Sequence, residues 1–323
     1  MPQRGIRLKV LPMQAFQTAA SVHPLCGHTG CAFGKTAFAV LPQRGIRLKV
    51  LPMQAFHTAA SVYPLCGHTG CAFGKTAFAV LPQRGIKMKI GIIGAMNAEV
   101  AYLKDQMTIE RTVSIARMEF CEGVYGNTDV VVVQSGIGKV NAGLCVQILA
   151  DRFGVTHVIN TGIAGSLNND LNIGDILVSV DAVYHDVDAT VFGYKHGEVP
   201  QLGIWAFPAD EKLRAQAVSA VAGAAPDVKA YEGRVASGDQ FISDKALKEE
   251  IKKNTDADCV EMEGCAIAQA CWINHIPFVI IRAISDKADG SDIQEYNTFE
   301  SKAAEHCAHI TGYMMAHLNL PGD

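Results

Sequence analysis

Three carboxylates, Glu99, Glu263 and Asp286, stand where apolar runs end. Val260 to Glu263 reads as a short strand feeding a helix, because Met262, Ala266, Ile267 and Ala270 recur at i, i+4, i+5 and i+8 after an acidic start. Phe278 to Ile281, opened by Pro277, is a continuous run rich in β-branched residues. It predicts a central parallel strand covered on both faces, with Ser285 and Asp286 at its carboxyl end. Lys89 to Glu99 reads as an apolar strand, a Gly turn and a helix start, the first βα unit of an α/β domain. In open α/β sheets ligands bind at the carboxyl ends of strands, so the three acids are expected to face one crevice. Separated carboxylates in such a place can share proton donation, proton removal and the holding of a ligand.

The elements that must position these acids follow along the chain. Arg117 to Tyr125 and Asp129 to Gln134 form a predicted hairpin through the turn-forming pair Gly126-Asn127. Ser135-Gly-Ile-Gly-Lys139 precedes a helix to about Asp151, and Thr156 to Asn160 is a short strand ending in the Gly-rich turn Thr161 to Ser166. Neither Gly-rich segment matches the dinucleotide or triphosphate loop patterns, which argues against those cofactors. Gly174 to Tyr184 is strand-like and leads into His185-Asp-Val-Asp188, then a loop carrying Phe192, Tyr194 and Pro200. The His185 cluster is expected to be a hydrogen-bonded loop rather than a metal site, since its ligand count and spacing match no zinc template. A helix near Asp210 to Ala222, a strand from Tyr231 to Ser237 and the loop Gly238 to Ile242 come next. The last element is a long helix on which Phe299, Ala303, His306, Ile310 and Met314 share a face.

Charge divides the chain in two. The first 89 residues hold no Asp or Glu and carry +11, which leaves 17 basic against 32 acidic residues, a net −15, for the remainder. A mildly acidic body argues against nucleic acid as the partner. The basic head is a tandem repeat of period 40: Pro2 to Val40 recurs as Pro42 to Val80 with only Gln17/His57 and His23/Tyr63 differing, and a third copy breaks off after Ile86. Stacked repeat folds need about three drifting units, so two near-identical copies point to a recent duplication and a disordered or spurious extension over residues 1–87. Each copy holds Cys-Gly-His-Thr-Gly-Cys (Cys26 to Cys31, Cys66 to Cys71), but the spacing exceeds a zinc knuckle and no second ligand pair completes four. No metal is expected. Residues 88–323 then make one sizeable domain. Its six scattered cysteines, in apolar settings, suggest a reducing compartment, and no apolar run reaches the 18 or so residues of a membrane span.

Taken together, Ile-Gly-Ala-Met-Asn-Ala-Glu99, Ser-Gly-Ile-Gly-Lys139, Asn-Thr-Gly-Ile-Ala-Gly165, Gly-Asp-Gln-Phe241, Val-Glu-Met-Glu263 and Arg-Ala-Ile-Ser-Asp286 resemble the bacterial methylthioadenosine/S-adenosylhomocysteine nucleosidases. The resemblance runs over essentially all of Met88 to Leu320. It implies the nucleoside phosphorylase fold, a three-layer α/β domain with a central mixed sheet flanked by helices, and hydrolysis of an adenine N-glycosidic bond in a cytoplasmic homodimer without cofactor, metal, nucleic acid or membrane. It makes Asp286 the acid that protonates adenine N7, Glu99 the base for water, and Glu263 the holder of the ribose hydroxyls. Phe241 would stack on adenine, Met262 would lie under the ribose, and the Ile242 backbone would read the purine edge. Met96, Ile163, Ala164, Gly165, Glu261 and Tyr296 would complete the pocket, with Phe192, Tyr194 and Pro200 closing the partner subunit's pocket over the 5′-thio group. The chain departs from the family pattern at Asn97 and Ala98, where acids often precede the catalytic Glu, and at Ile163, where many members carry Ser.

Each residue also has a plainer role open to it. A Glu in the first turn of a helix is commonly a macrodipole partner, an Asp at a strand end a cap, and Phe241 ordinary core. Phosphorolysis on the same fold would need cations around a phosphate, which the acid at the first βα turn opposes. A futalosine-type hydrolase and a non-catalytic ligand-binding protein are the other readings. Because no expected site residue lies in the repeat, deleting residues 1–87 should leave fold and turnover unchanged, as circular dichroism and an adenine-release assay of the shortened chain would show.

Overall fold

The computed structural model describes residues 87–287 and 292–320, except for the side chains of residues 292–298. The tandem repeat and its two Cys-Gly-His-Thr-Gly-Cys segments lie outside the described residues. In chain order the elements are β1 (Lys89–Gly94), α1 (Asn97–Gln106), β2 (Thr108–Ile115), β3 (Met118–Tyr125), β4 (Thr128–Gln134) and α2 (Lys139–Ile148), which runs into a π-helical turn at Leu149–Phe153. They continue with β5 (His157–Ser166), β6 (Ile176–Tyr184), β7 (Phe207–Pro208), α3 (Glu211–Ala224), β8 (Ala230–Ser237), α4 (Lys245–Thr255), β9 (Cys259–Glu261), α5 (Gly264–Asn274), β10 (Phe278–Asp286) and α6 (Asp292–Ala316).

One mixed sheet joins all ten strands in the order β10-β6-β8-β9-β5-β1-β4-β3-β2, with β7 on β6. A further pairing of β10 with β5 closes β5, β10, β6, β8 and β9 into a ring. The reason for closure is visible in β10, whose nine residues are all buried: a strand apolar on both faces needs partners on both edges and layers on both sides. Those layers form two separate cores, and a third, smaller one gathers around Ile251 of α4 with Val183, Ala236 and Val260. On one side the sheet packs against α2 and α5 through residues such as Cys145, Val146, Ile267 and Cys271. On the other it packs against α1, α3 and α6 through Val100, Leu103, Leu213, Val221, Ala304 and Ile310. This is the three-layer α/β architecture expected from the motifs. The six cysteines of the domain are all buried with free thiols, and none of the helices described is long and apolar enough to cross a membrane.

Three expectations change. Thr161 to Ser166 is not a turn: β5 runs on through it, pairing along β10 as far as Gly165, because its glycines let neighbouring side chains press against the strand. Thr108–Ile115, to which the sequence pattern assigned nothing, forms the edge strand β2. Its side chains are mostly exposed, so it carries little apolar signal. Lys245–Thr255 likewise becomes a helix with only Lys248, Ile251 and Thr255 buried, started by Asp244, whose carboxylate accepts from Leu247 N at 2.9 Å.

The β2–β3 register slips between Ile109 and Arg111. Gly123 sits opposite that bulge, where an added Cβ would come within 2.0 Å of the Thr108 carbonyl oxygen. Gly123→Ala should therefore lower stability by about 1 to 3 kcal/mol, the range for overpacking, as chemical denaturation would measure, while Ala at the open Gly143 should cost far less.

Candidate active site

The carboxyl ends of β1, β4, β5, β8, β9 and β10 meet around one cleft. Its walls include Met96, Glu99, Ile163, Ala164, Gly165, Phe241, Ile242, Glu261, Met262, Glu263 and Asp286. All of these were expected from the sequence. Ala95, Ile137, Gln240, Val260 and Ser285 also line it and were not. Phe192, Tyr194 and Pro200 are not among its walls; Phe192 is 81% exposed and Pro200 is exposed. Tyr296 falls on α6, and its side chain lies outside the described residues.

Glu99 does two jobs. One oxygen, Oε2, accepts from the backbone N–H groups of Ala95 (2.6 Å) and Met96 (2.9 Å), closing the first turn of α1 as a helix cap would. The other, Oε1, accepts from Ile163 N at 3.2 Å, and Glu99 is among the residues that line the cleft. A Cβ on Gly162 would stand 2.5 Å from that oxygen, so only glycine lets the acid approach β5 so closely. Burial pushes the Glu99 carboxyl up from its ordinary value, opposed by the charge of Arg282 and by the three backbone donors.

Glu263 begins α5. Its Oε1 accepts from Gly138 N at 2.7 Å. Gly138 sits at φ 98°, in the region that favours glycine, which lets its N–H point at the acid. Burial, then the charge of neighbouring Glu261, pushes Glu263 up to about 8. Glu261 is differently placed. Its carboxylate is bound by Arg282 and Ser237 and accepts from Gly264 N at 2.8 Å, so it works as a structural anchor at the pocket floor. Arg282 in turn donates to Asn160 Oδ1 at 2.5 Å. Burial works against the Arg282 charge, but Glu261, Glu99 and Glu263 outweigh it and hold it firmly protonated. The sequence reading passed over this arginine although a charged residue inside the apolar run of β10 was a usable signal.

Asp286 ends β10 and is 2% exposed. Its Oδ1 accepts from Ser285 Oγ at 2.8 Å and its Oδ2 from Lys248 Nζ at 2.9 Å. Outside the cleft, the His185 cluster is a hydrogen-bonded loop: Asp186 pairs with Lys139 at 2.5 Å and accepts from Asp239 N, and Asp188 accepts from Thr190 N.

A profile of the Phosphorylase superfamily matches residues 89–315. The chain is 43% identical over 230 residues to the 5′-methylthioadenosine/S-adenosylhomocysteine nucleosidase of Staphylococcus carnosus, covering 71% of this chain and all of that protein. The chain belongs to this nucleosidase family of the phosphorylase superfamily. Among solved structures, the nucleosidase of Colwellia psychrerythraea in complex with adenine superposes with a TM-score of 0.69 at 40% identity, over 72% of this chain and 97% of that one. The futalosine hydrolase of Helicobacter pylori superposes with a TM-score of 0.68 at 34% identity, over 72% and 98%. The matched residues of the superfamily profile begin just past the tandem repeat.

A carboxyl raised on folding adds stability that is fully present below its unfolded value near 4.5 and is lost as pH rises through about 8. Urea denaturation of the ligand-free chain should therefore show stability falling across that window. Glu263→Gln, which has no proton to lose, should flatten the fall, and an unchanged pH profile in the variant would place the effect elsewhere.

Proposed function

We propose that this chain hydrolyses the N-glycosidic bond of 5′-methylthioadenosine and S-adenosylhomocysteine, giving adenine and the thioribose. The observation that carries the reading is the convergence of Glu99, Glu263 and Asp286 on one cleft, in a chain that matches a nucleosidase along that relative's whole length. As the C1′–N9 bond breaks, its electron pair moves into the purine, and a proton shared between the Asp286 carboxyl and N7 of the bound purine passes to N7 so that neutral adenine leaves. Water attacks C1′ while Glu99 takes its proton; a buried carboxyl raised from its ordinary value is a better base than a solvated one. Glu263 holds the ribose hydroxyls. Phe241 stacks on the purine, Met262 underlies the ribose and the Ile242 backbone meets the purine edge. Met96, Ile163, Ala164, Gly165, Glu261 and Tyr296 complete the pocket. No cofactor enters this division of labour.

Phosphorolysis fits the same cleft poorly. Carboxylates face it, while Arg282 and Lys248 stand behind them, already bound to Glu261 and Asp286, so a phosphate dianion would meet acids rather than free cations.

The pocket is completed by a second copy of the chain. Val140 and Leu144 on α2 and Trp272 and Ile273 on α5 are exposed apolar residues on helices that pack against each other, and Ile137, Val191 and Phe192 are exposed with them. An apolar surface of that kind calls for a cover. A homodimer would bring Phe192, Tyr194 and Pro200 of one subunit over the 5′-thio group held by the other. The reaction belongs to methionine salvage, and six free buried thiols suit the cytoplasm.

Purified protein should release adenine from both thio-nucleosides at a rate indifferent to added phosphate, followed by chromatography of the products. A 5-thioribose 1-phosphate among them, or preferential cleavage of futalosine, would sink the assignment in favour of a phosphorylase or a futalosine hydrolase.

The two reacting acids should separate by leaving group. Asp286→Asn and Glu99→Gln should each lower kcat by about 10² to 10⁴, the range for one general acid or base. A p-nitrophenyl thioriboside, whose leaving group needs no proton, should partly rescue Asp286→Asn and leave Glu99→Gln slow. Glu263→Gln should also raise KM, because its contacts exist already in the bound ground state.

A further inference from the structure

Lys248 is out of place by every rule of composition. It lies on the inward stripe of α4 with Ile251 and Thr255, where an apolar residue belongs, and it is 2% exposed. Lysine is almost never buried to that degree unless it is paired. Here its ammonium donates to Asp286 Oδ2 at 2.9 Å and to the Lys287 carbonyl at 2.7 Å. Stability alone does not ask for such a pair, since replacing a buried ion pair with well-packed apolar side chains is commonly neutral or stabilising. The pair's location does suggest a use.

We propose that Lys248 is a positioning residue of the site, acting through Asp286. With Oδ2 gripped by Lys248 and Oδ1 by the Ser285 hydroxyl at 2.8 Å, the carboxyl is held at both oxygens in a single plane of presentation. Gly165 leaves room for it: a Cβ there would lie 2.8 Å from Oδ2. The second donation, to the Lys287 carbonyl, fixes the chain just past β10, so that the acid cannot swing with its own backbone. The grip also has a direction along the chain. The loop that carries Phe241 and Ile242 ends at Asp244, the cap of α4, and Lys248 stands one turn further on. Lys248 therefore ties the helix behind the purine-stacking loop to the residue that protonates the purine, and the two sides of the leaving group's berth keep their spacing. Misplacing a reacting group by about 1 Å can cost roughly 10²-fold in rate, which is the scale on which such a tether matters.

The proposal rests on Asp286 being the acid, and the full-length protein tests the two separately. Lys248→Met removes the charge and keeps the length; Lys248→Arg keeps the charge. Lys248→Met should lower kcat for methylthioadenosine by about 10- to 100-fold while KM changes less than about threefold, and Lys248→Arg should recover much of the loss. The defect should shrink on the p-nitrophenyl thioriboside, because a lysine that acts through the acid matters only when the leaving group needs a proton. Added to Asp286→Asn, Lys248→Met should cost no more than about twofold further, the non-additivity of two residues serving one step. Thermal unfolding of each variant separates lost fold from lost rate. An unchanged kcat in Lys248→Met, an equal loss on both substrates, or full additivity with Asp286→Asn would overturn the positioning role while leaving Asp286 as the acid. An unchanged kcat in Asp286→Asn would instead overturn the acid assignment, and this proposal with it.

Discussion

A guanidinium shut inside a sheet constrains everything around it. Arg282, in the middle of β10, is 2% exposed and holds Glu261 at the end of β9 and Asn160 on β5. Leaving any of these groups unpaired in the interior would cost several kcal/mol, so β5, β9 and β10 are bound to keep their mutual register. That requirement fits the closed ring of strands better than an open sheet, because only the ring brings β9 round to β5 beside β10. Glu261, fixed by Arg282 and Ser237, in turn accepts from the N–H groups of Glu263 and Gly264. The start of α5, and with it Glu263, is placed by the same cation.

The cluster also sets the chemistry of the cleft without entering it. Arg282 opposes the effect of burial on Glu99, while Glu261 adds to burial in raising Glu263. Burial raises both buried glutamates, and Arg282 opposes it in each; three backbone donors add to that opposition at Glu99, whereas at Glu263 the charge of Glu261 adds to burial. The two oxygens of Glu99 have different partners: Oε2 takes the N–H groups of Ala95 and Met96 at the start of α1, and Oε1 takes that of Ile163 on β5. The plain reading of an acid in the first turn of a helix describes Oε2, while Oε1 reaches across to β5.

How the acids are held differs from how they are approached. Asp286 is clamped from within the fold by Ser285 and Lys248, and Glu263 is met from across the cleft by the Gly138 N–H. The outer wall is another matter: Ile137 and Phe241 are each about half exposed, and Val140 and Leu144 of α2 and Trp272 and Ile273 of α5 are exposed as well. The inner ends of the acids are fixed by hydrogen bonds, while the outer wall is exposed and apolar.

The sequence by itself determined the element types around the acids and the acids' places at strand ends. Those properties are local: a β-branched run such as Phe278 to Ile281, or the helical spacing after Met262, is set by residues within a turn or two of each other. It also showed, through six short motifs, the family and most of the pocket wall. Only the tertiary structure decided that Thr161 to Ser166 is strand, since glycines speak for a turn until β10 is found along their edge. Only it decided that Arg282 and Lys248 are interior, because their partners Glu261, Asn160 and Asp286 lie 21 to 122 residues away in the chain. A charge reads as surface in any local window. What makes burial tolerable is a counter-charge brought close by folding, and no spacing along the chain records that distance.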